Sequence, residues 1–245
     1  MIAAVDTALH AAGPPTLTPQ QLRHEQDRSL ETPRRRNLLL LPFFVSIDVL
    51  YGRRLSIEKF LVLEHLAQVP YRSWERVAQH RISRSGGRSV LARRIQQRVA
   101  EARAQHDNEQ WHMLVMEHLI ARSGRRLTRL RHRLLPRMLA LPWQLTTWLI
   151  HLVRPRWSYQ LNAAFEAHAE RSYMDFVATH PETEQDTFDG VLAARWTTAV
   201  TVGDVLRQVG HDERMHKLDS ERRAAQGQRL EVAERRDTDD IRRAA

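Results

Sequence analysis

An all-α fold, a four-helix bundle with additional membrane-interfacial helices, is what this sequence predicts. Three observations lead there. Between residues 37 and 220 apolar residues recur at three- and four-residue intervals, and nothing alternates strictly for long enough to make a sheet. Four of the resulting stripes carry a glutamate where an apolar residue belongs. Two further stretches, 38–49 and 134–153, are too greasy for a solvated surface yet too interrupted for a membrane span.

The ends set the domain limits. Residues 1–36 are rich in Pro, Gln, Arg and Thr and read as a flexible N-terminal segment. Residues 221–245 are charged all round and read as a solvated helix or tail, leaving 37–220 as one bundle domain. The start lacks a basic region followed by a clean apolar run, so no secretory signal is expected, and its acidic residues argue against a transit peptide. That points to a prokaryotic chain.

Composition narrows the chemistry. The chain of 245 residues has a formal charge of +9, carried by arginine except for Lys59 and Lys217. Such a surface suits an anionic neighbour, lipid headgroups or nucleic acid; the greasy stretches decide for the membrane, and no nucleic-acid role is expected. There is no cysteine, which removes disulfides, thiolate metal sites and cysteine nucleophiles together. Any metal must then be held by histidine and carboxylates.

The four stripes come in order. The first helix aligns Ile57, Phe60, Leu61 and Glu64, and Pro70 is expected to end or kink it. The second aligns Glu109, His112, Met116 and Leu119. The third aligns Asn162, Glu166, Ala169, Tyr173 and Phe176; the fourth Val202, Val205, Val209, Glu213 and His216. His65, His118 and His168 lie beside these stripes and face elsewhere.

The stretch 134–153 contains Pro136, Arg137, Pro142, Gln144 and His151, which argue against a transmembrane helix. Six arginines between Arg122 and Arg133 precede it, and Trp143 and Trp148 lie inside it. A monotopic helix fits: apolar side at the acyl boundary, arginines on the phosphates.

E-x-x-H alone is a weak pattern, since about one is expected by chance in a chain of this composition. Two occur, Glu109/His112 and Glu213/His216, and context raises their weight. Each lies on an apolar stripe, and each follows a helix with a single stripe glutamate, Glu64 45 residues before Glu109 and Glu166 47 residues before Glu213. Two similar hairpins, each supplying Glu and then Glu-x-x-His, make up the ligand formula of ferritin-like carboxylate-bridged two-metal bundles. Four ionised glutamates in an apolar core would each cost several kcal/mol if unpaired. Two divalent cations neutralise them. Oxygen and imidazole ligation suits iron or manganese. Asn108 and Asp212 each precede a ligand glutamate and are placed to hydrogen-bond to the ligands. Tyr173, two helical turns beyond Glu166, is either a packed tyrosine or an oxidisable phenol beside the metals.

The segments "DVLYGRRLSIEKFLVLEHLAQVPY", "NEQWHMLVMEHL", "FEAHAERSYMDFV" and "DERMH" together resemble the alternative oxidase family, nearest its plastid terminal oxidase branch. The likeness runs in order over residues 48–216. It implies a membrane-bound di-iron enzyme that oxidises a quinol and reduces dioxygen to water without pumping protons. Two iron ions would be the cofactor, ahead of manganese. The family's ligands fall on Glu64, Glu109, His112, Glu166, Glu213 and His216, and its essential tyrosine on Tyr173. Lys59, Ser172 and Asp212 match positions near the family's quinol pocket. Lys59 stands where arginine is common, so a point charge replaces a planar fork, and Ser172 where threonine is frequent. The segment 81–103 is more basic than the family leads one to expect. The resemblance also implies a two-fold homodimer and a monotopic place on the cytoplasmic face of a prokaryotic inner or thylakoid membrane. A di-iron hydroxylase of quinone biosynthesis and a ferritin-like iron-binding protein share much of the ligand set and are the alternatives; a degenerate bundle without metal is the plainest one.

Overall fold

Helix boundaries follow local chemistry. A computed structural model of the protein describes residues 16–34, 37–83, 89–188 and 197–243, with the side chains of 89–91 and 227–243 outside that description. Among the described residues there are seven α-helices and no strand, only an isolated bridge between Thr187 and Thr201. They are α1 (Pro19–Glu31), α2 (Leu41–Tyr51), α3 (Ile57–Ser83), α4 (Ser89–Arg122), α5 (Leu135–Val153), α6 (Pro155–Thr179) and α7 (Val202–Arg243). A π-helical turn, Leu130–Leu134, leads into α5. Gly52 (φ +91°) follows α2 and Gly124 (φ +70°) follows α4, positive values at which a side chain would be strained.

The N-terminal segment departs from the expectation of a flexible lead-in. From Thr18 onward it is a helix, nucleated by a capping box in which Thr18 and Gln21 satisfy each other's backbone N–H groups, with Pro19 at the first position. One fully buried leucine, Leu22, and a bond from Gln26 Nε2 to the Met174 carbonyl (3.1 Å) seat it on the bundle. Residues 1–15 lie outside the described residues. At the other end the expected tail is the continuation of α7, and Arg223 and Ala224 are still buried.

Pro70 does not end α3 either. A proline removes the N–H that would bond the carbonyl four residues earlier. That carbonyl belongs to Leu66, and the indole Nε1–H of Trp143 on α5 donates to it at 3.2 Å. A side chain from another helix fills the gap, so the helix runs on to Ser83.

α3 and α4 pack as one antiparallel hairpin, α6 and α7 as another. Register in the first is marked by Arg72 Nε donating to His106 Nε2 (2.8 Å) and Arg103 Nε donating to Glu75 Oε1 (2.8 Å). In the second, Asn162 Nδ2 donates to Ser220 Oγ (3.1 Å) and Lys217 Nζ to Glu170 Oε2 (2.6 Å). Across the bundle α4 and α7 approach less closely, and long polar side chains span the gap. A Cβ on Gly210 would lie 3.2 Å from Tyr173 Cβ and 2.9 Å from Met174 Cε, so α6 and α7 meet closely there. Gly210→Val should therefore lower stability by about 1–3 kcal/mol in urea unfolding, despite valine's better helix propensity. An unchanged midpoint would mean that the helices separate freely.

α5 lies along α3 and has two faces. Trp143, Thr147 and His151 point into the core. Leu134, Met138, Leu141, Leu145, Leu149 and Leu152, at helical spacing, are all exposed, Leu141 to 68%. α2 and the turn before it add Leu38, Leu39, Val45 and Val49. Among the described residues no helix is long and apolar enough to cross a membrane.

Candidate metal centre

Six side chains from four helices converge in the middle of the bundle: Glu64 from α3, Glu109 and His112 from α4, Glu166 from α6, Glu213 and His216 from α7. None is more than 2% exposed. Three-residue spacing puts each Glu–His pair on one helix face. The donor atoms form two overlapping groups, Glu64–Glu109–His112–Glu213 and Glu109–Glu166–Glu213–His216, each with atoms within 4.8 Å of one another. Glu109 and Glu213 belong to both. Either group could hold a metal ion.

Both imidazoles turn Nδ1 toward the carboxylates. His112 Nδ1 is 3.1 Å from Glu213 Oε1 and 3.3 Å from Glu64 Oε2; His216 Nδ1 is 2.7 Å from Glu109 Oε1. The far nitrogen of His112, Nε2, meets Asp212 Oδ2 at 3.1 Å. Asp212 is itself held by Gln208 Nε2 (2.7 Å) and Asn108 Nδ2 (3.4 Å). A carboxylate behind a ligand histidine fixes its ring and its tautomer and raises its basicity.

The two terminal glutamates are treated alike. Tyr173 on α6 donates its hydroxyl to Glu64 Oε1, across the bundle. Tyr71 on α3 donates to Glu166 Oε1 at 2.8 Å, helped by Asn162 Nδ2 at 2.9 Å. Each tyrosine stands seven residues after its own helix's glutamate and reaches the glutamate of the other hairpin. Tyr71 was missed by sequence reasoning, although its spacing from Glu64 equals that of Tyr173 from Glu166. The repeat was the available signal.

Burial pushes the Glu109 carboxyl up to about 8, with the Glu64 charge adding to the effect. Glu166 and Glu213 are driven well above the carboxylate range, by burial first and then by neighbouring glutamate charges. Burial lowers His216, whereas for His112 the surrounding carboxylates of Asp212, Glu109, Glu213 and Glu64 outweigh burial and raise it. Both tyrosine hydroxyls are held protonated by burial and adjacent carboxylates. Glu64 Oε2, both Glu109 oxygens, Glu166 Oε2, Glu213 Oε2 and both His216 nitrogens have no hydrogen-bond partner among the described residues. His216 Nδ1 and Glu109 Oε1 are close but not aligned as a hydrogen bond. Buried polar atoms are rarely left so, and these converge on one place. The donor set fits hard or borderline cations.

The three residues placed at the quinol pocket by resemblance lie in different settings. Lys59, 4% exposed, donates from Nζ to Asp48 Oδ1 (2.5 Å) and the Gly52 carbonyl (3.0 Å). Ser172 is fully buried and donates to the His168 carbonyl of its own helix (2.7 Å). Asp212 faces His112. Phe60, next to Lys59, stacks on Tyr173 at 4.1 Å. His168 stacks on Phe44 at 3.7 Å, away from the ligands.

The arrangement can bind cations, take up or release protons as they bind, and hold two phenols against the outer ligands. No protein-family model matches the chain, and no curated protein matches it in sequence.

Proposed function

We propose that this protein is a membrane-bound di-iron quinol oxidase of the alternative oxidase type. In this reading two quinols and one dioxygen give two quinones and two waters, without proton pumping. The observation that carries it is the pair of overlapping buried clusters sharing Glu109 and Glu213. Glu64 and His112 would hold one iron, Glu166 and His216 the other, and the two shared glutamates both; four carboxylates balance two divalent ions. When bound, the metal pair supplies dioxygen binding and electron transfer. Manganese would use the same donors with less suited redox chemistry.

The chain's own residues set the conditions. Asp212 fixes the His112 ring through Nε2. Tyr173 keeps its proton on the hydroxyl facing Glu64, where a phenolic proton and electron can be delivered together. The closed apolar packing of Phe60, Val115, Met116 and Val209 keeps water out, so partly reduced oxygen is retained. The exposed apolar faces of α2 and α5 support a monotopic seat on the membrane surface, where quinols reside. They also favour this reading over a soluble iron-storage protein. A homodimer and a cytoplasmic-face location belong to the same proposal.

The test is oxygen uptake by the iron-loaded protein on lipid vesicles containing quinol. Cyanide-insensitive uptake of one dioxygen per two quinols, with labelled oxygen recovered in water, is the expected result. Label in the quinone ring would favour the hydroxylase, and no uptake by fully loaded protein would end the oxidase reading. A Leu141→Glu/Leu145→Glu variant should keep its metal yet leave the vesicles. Taking two leucines out of the acyl boundary removes at least about 3 kcal/mol, roughly a hundredfold in partitioning.

A further inference from the structure

The basic segment 81–103 contributes to a second site that the metal centre does not use. Beyond Tyr71 the bundle opens into a cleft of about 420 Å³, counting its solvent-open mouth, between the last turns of α3, the first half of α4, the α5–α6 corner and α7. Arg81, Arg98 and Arg223 line it with His151, Tyr159 and Trp74. It lies about 15–25 Å along α3 from Glu64, at 1.5 Å per residue.

The charges here are unbalanced. Arg81 and Arg98 form no ion pair among the described residues. Arg223 Nη2 donates to Glu101 Oε2 (3.2 Å), and Glu75 on the rim is engaged by Arg103. Two guanidinium charges are left without a carboxylate. Polar atoms are also left over in the interior. His151 is 6% exposed and its Nδ1 has no partner; Arg223 is 5% exposed and its Nε has none, although its guanidinium lies over the Trp74 ring at 5.7 Å. The Tyr159 ring is buried in the same wall. Three guanidiniums beside a neutral imidazole, with one carboxylate among them, leave a net positive cleft that suits an anion.

We infer that this cleft binds a phosphate group, with Arg81, Arg98 and Arg223 as its charged contacts and His151 and Tyr159 as neutral hydrogen-bond donors. A phosphate dianion cancels the two uncompensated charges, and guanidinium forks match its oxygens. Burial and the three arginines hold His151 down to about 3, so at neutral pH the ring is uncharged and can donate from one nitrogen only. The phosphate has two sources: a soluble phosphate compound, or the headgroup of an anionic lipid. The second is open because Leu152, Val153 and Trp157, at the same α5–α6 corner, are exposed and apolar. The inference stands apart from the oxidase reading.

Inorganic phosphate should raise the melting midpoint of the full chain by about 3 °C or more over sodium chloride of equal ionic strength. Arg81→Gln/Arg98→Gln, both at half-exposed positions and checked for folding by circular dichroism, should abolish that gain. Arg28→Gln, an exposed arginine on α1 outside the cleft, should keep it. Arg98→Lys, which keeps charge but not the fork, should retain only part. In a second arm, vesicles of phosphatidylcholine with phosphatidic acid are compared with phosphatidylcholine alone. Binding that is stronger on the acidic vesicles and falls at least tenfold in the double variant assigns the site to a lipid headgroup. Variant-sensitive phosphate stabilisation without variant-sensitive vesicle binding assigns it to a soluble ligand. If neither response distinguishes the double variant from Arg28→Gln, the site does not exist.

Discussion

Glu109→Ala should empty the whole metal centre rather than half of it. Glu109 belongs to both donor groups, and neither of its oxygens has a hydrogen-bond partner among the described residues. Removing one partner from a buried charge cluster costs about 3–5 kcal/mol, roughly two to three and a half orders of magnitude in affinity. Metal per chain after dialysis should fall to background, and quinol-dependent oxygen uptake with it. Glu64→Ala and Glu166→Ala each touch one group and should leave one ion more tightly held than the other. Stability supplies an independent sign. In the metal-free chain a buried carboxyl is a liability, so Glu109→Gln, which keeps the volume, should melt no lower than the parent. In the presence of metal it should melt well below it. Full metal retention by Glu109→Ala would show that the clusters are not the binding site.

The second large effect is on pH. Glu109 is raised to about 8, and Glu166 and Glu213 are raised well above the carboxylate range, so the folded metal-free chain keeps protons that the unfolded chain has lost. Where the unfolded state binds fewer protons, stability falls as pH rises. The fall begins above the ordinary carboxylate range and runs through about pH 8, and raised His112 acts in the same direction above its ordinary value. Histidines lowered by burial oppose it: His151, held at about 3, His168, at about 4, and His216 contribute stability that is lost as pH falls below their ordinary value of 6.5. Between pH 7 and 8 those three are neutral in the folded state and mostly neutral in the unfolded one, so the carboxylates decide. Metal-free protein should therefore melt lower at pH 8 than at pH 7, and metal-loaded protein should not. The stabilisation brought by the metal should grow across the same interval, because the ions displace protons. Glu109→Gln should flatten the metal-free slope. A metal-free chain that grows more stable from pH 7 to 8 would contradict the electrostatics of the centre.

Much of the cluster was legible in the chain because each candidate ligand breaks a pattern. A glutamate at an apolar position of a helical stripe is visible without coordinates, and four such breaks in two equal hairpins define a formula. Tyr71 carried the same spacing as Tyr173 but sat beyond a proline, where the helix was expected to end or kink. The carbonyl of Leu66 explains why it does not: its missing donor is replaced by Trp143, 77 residues away. No local rule anticipates that. The first helix was hidden for the opposite reason, since its composition is polar, and one leucine together with hydrogen bonds and ion pairs to α6 and α7 holds it down.

By itself, then, the sequence determined the helical class, the four stripes, the six inward donors and the two apolar surfaces on α2 and α5, all properties of periodicity along one helix. Tertiary structure alone decided which glutamates are shared, that each tyrosine crosses to the opposite hairpin, that Asp212 backs His112, and that arginines from three helices crowd one histidine. Those are distances between segments far apart in the chain, set by how the hairpins close on each other, and no one-dimensional spacing contains them.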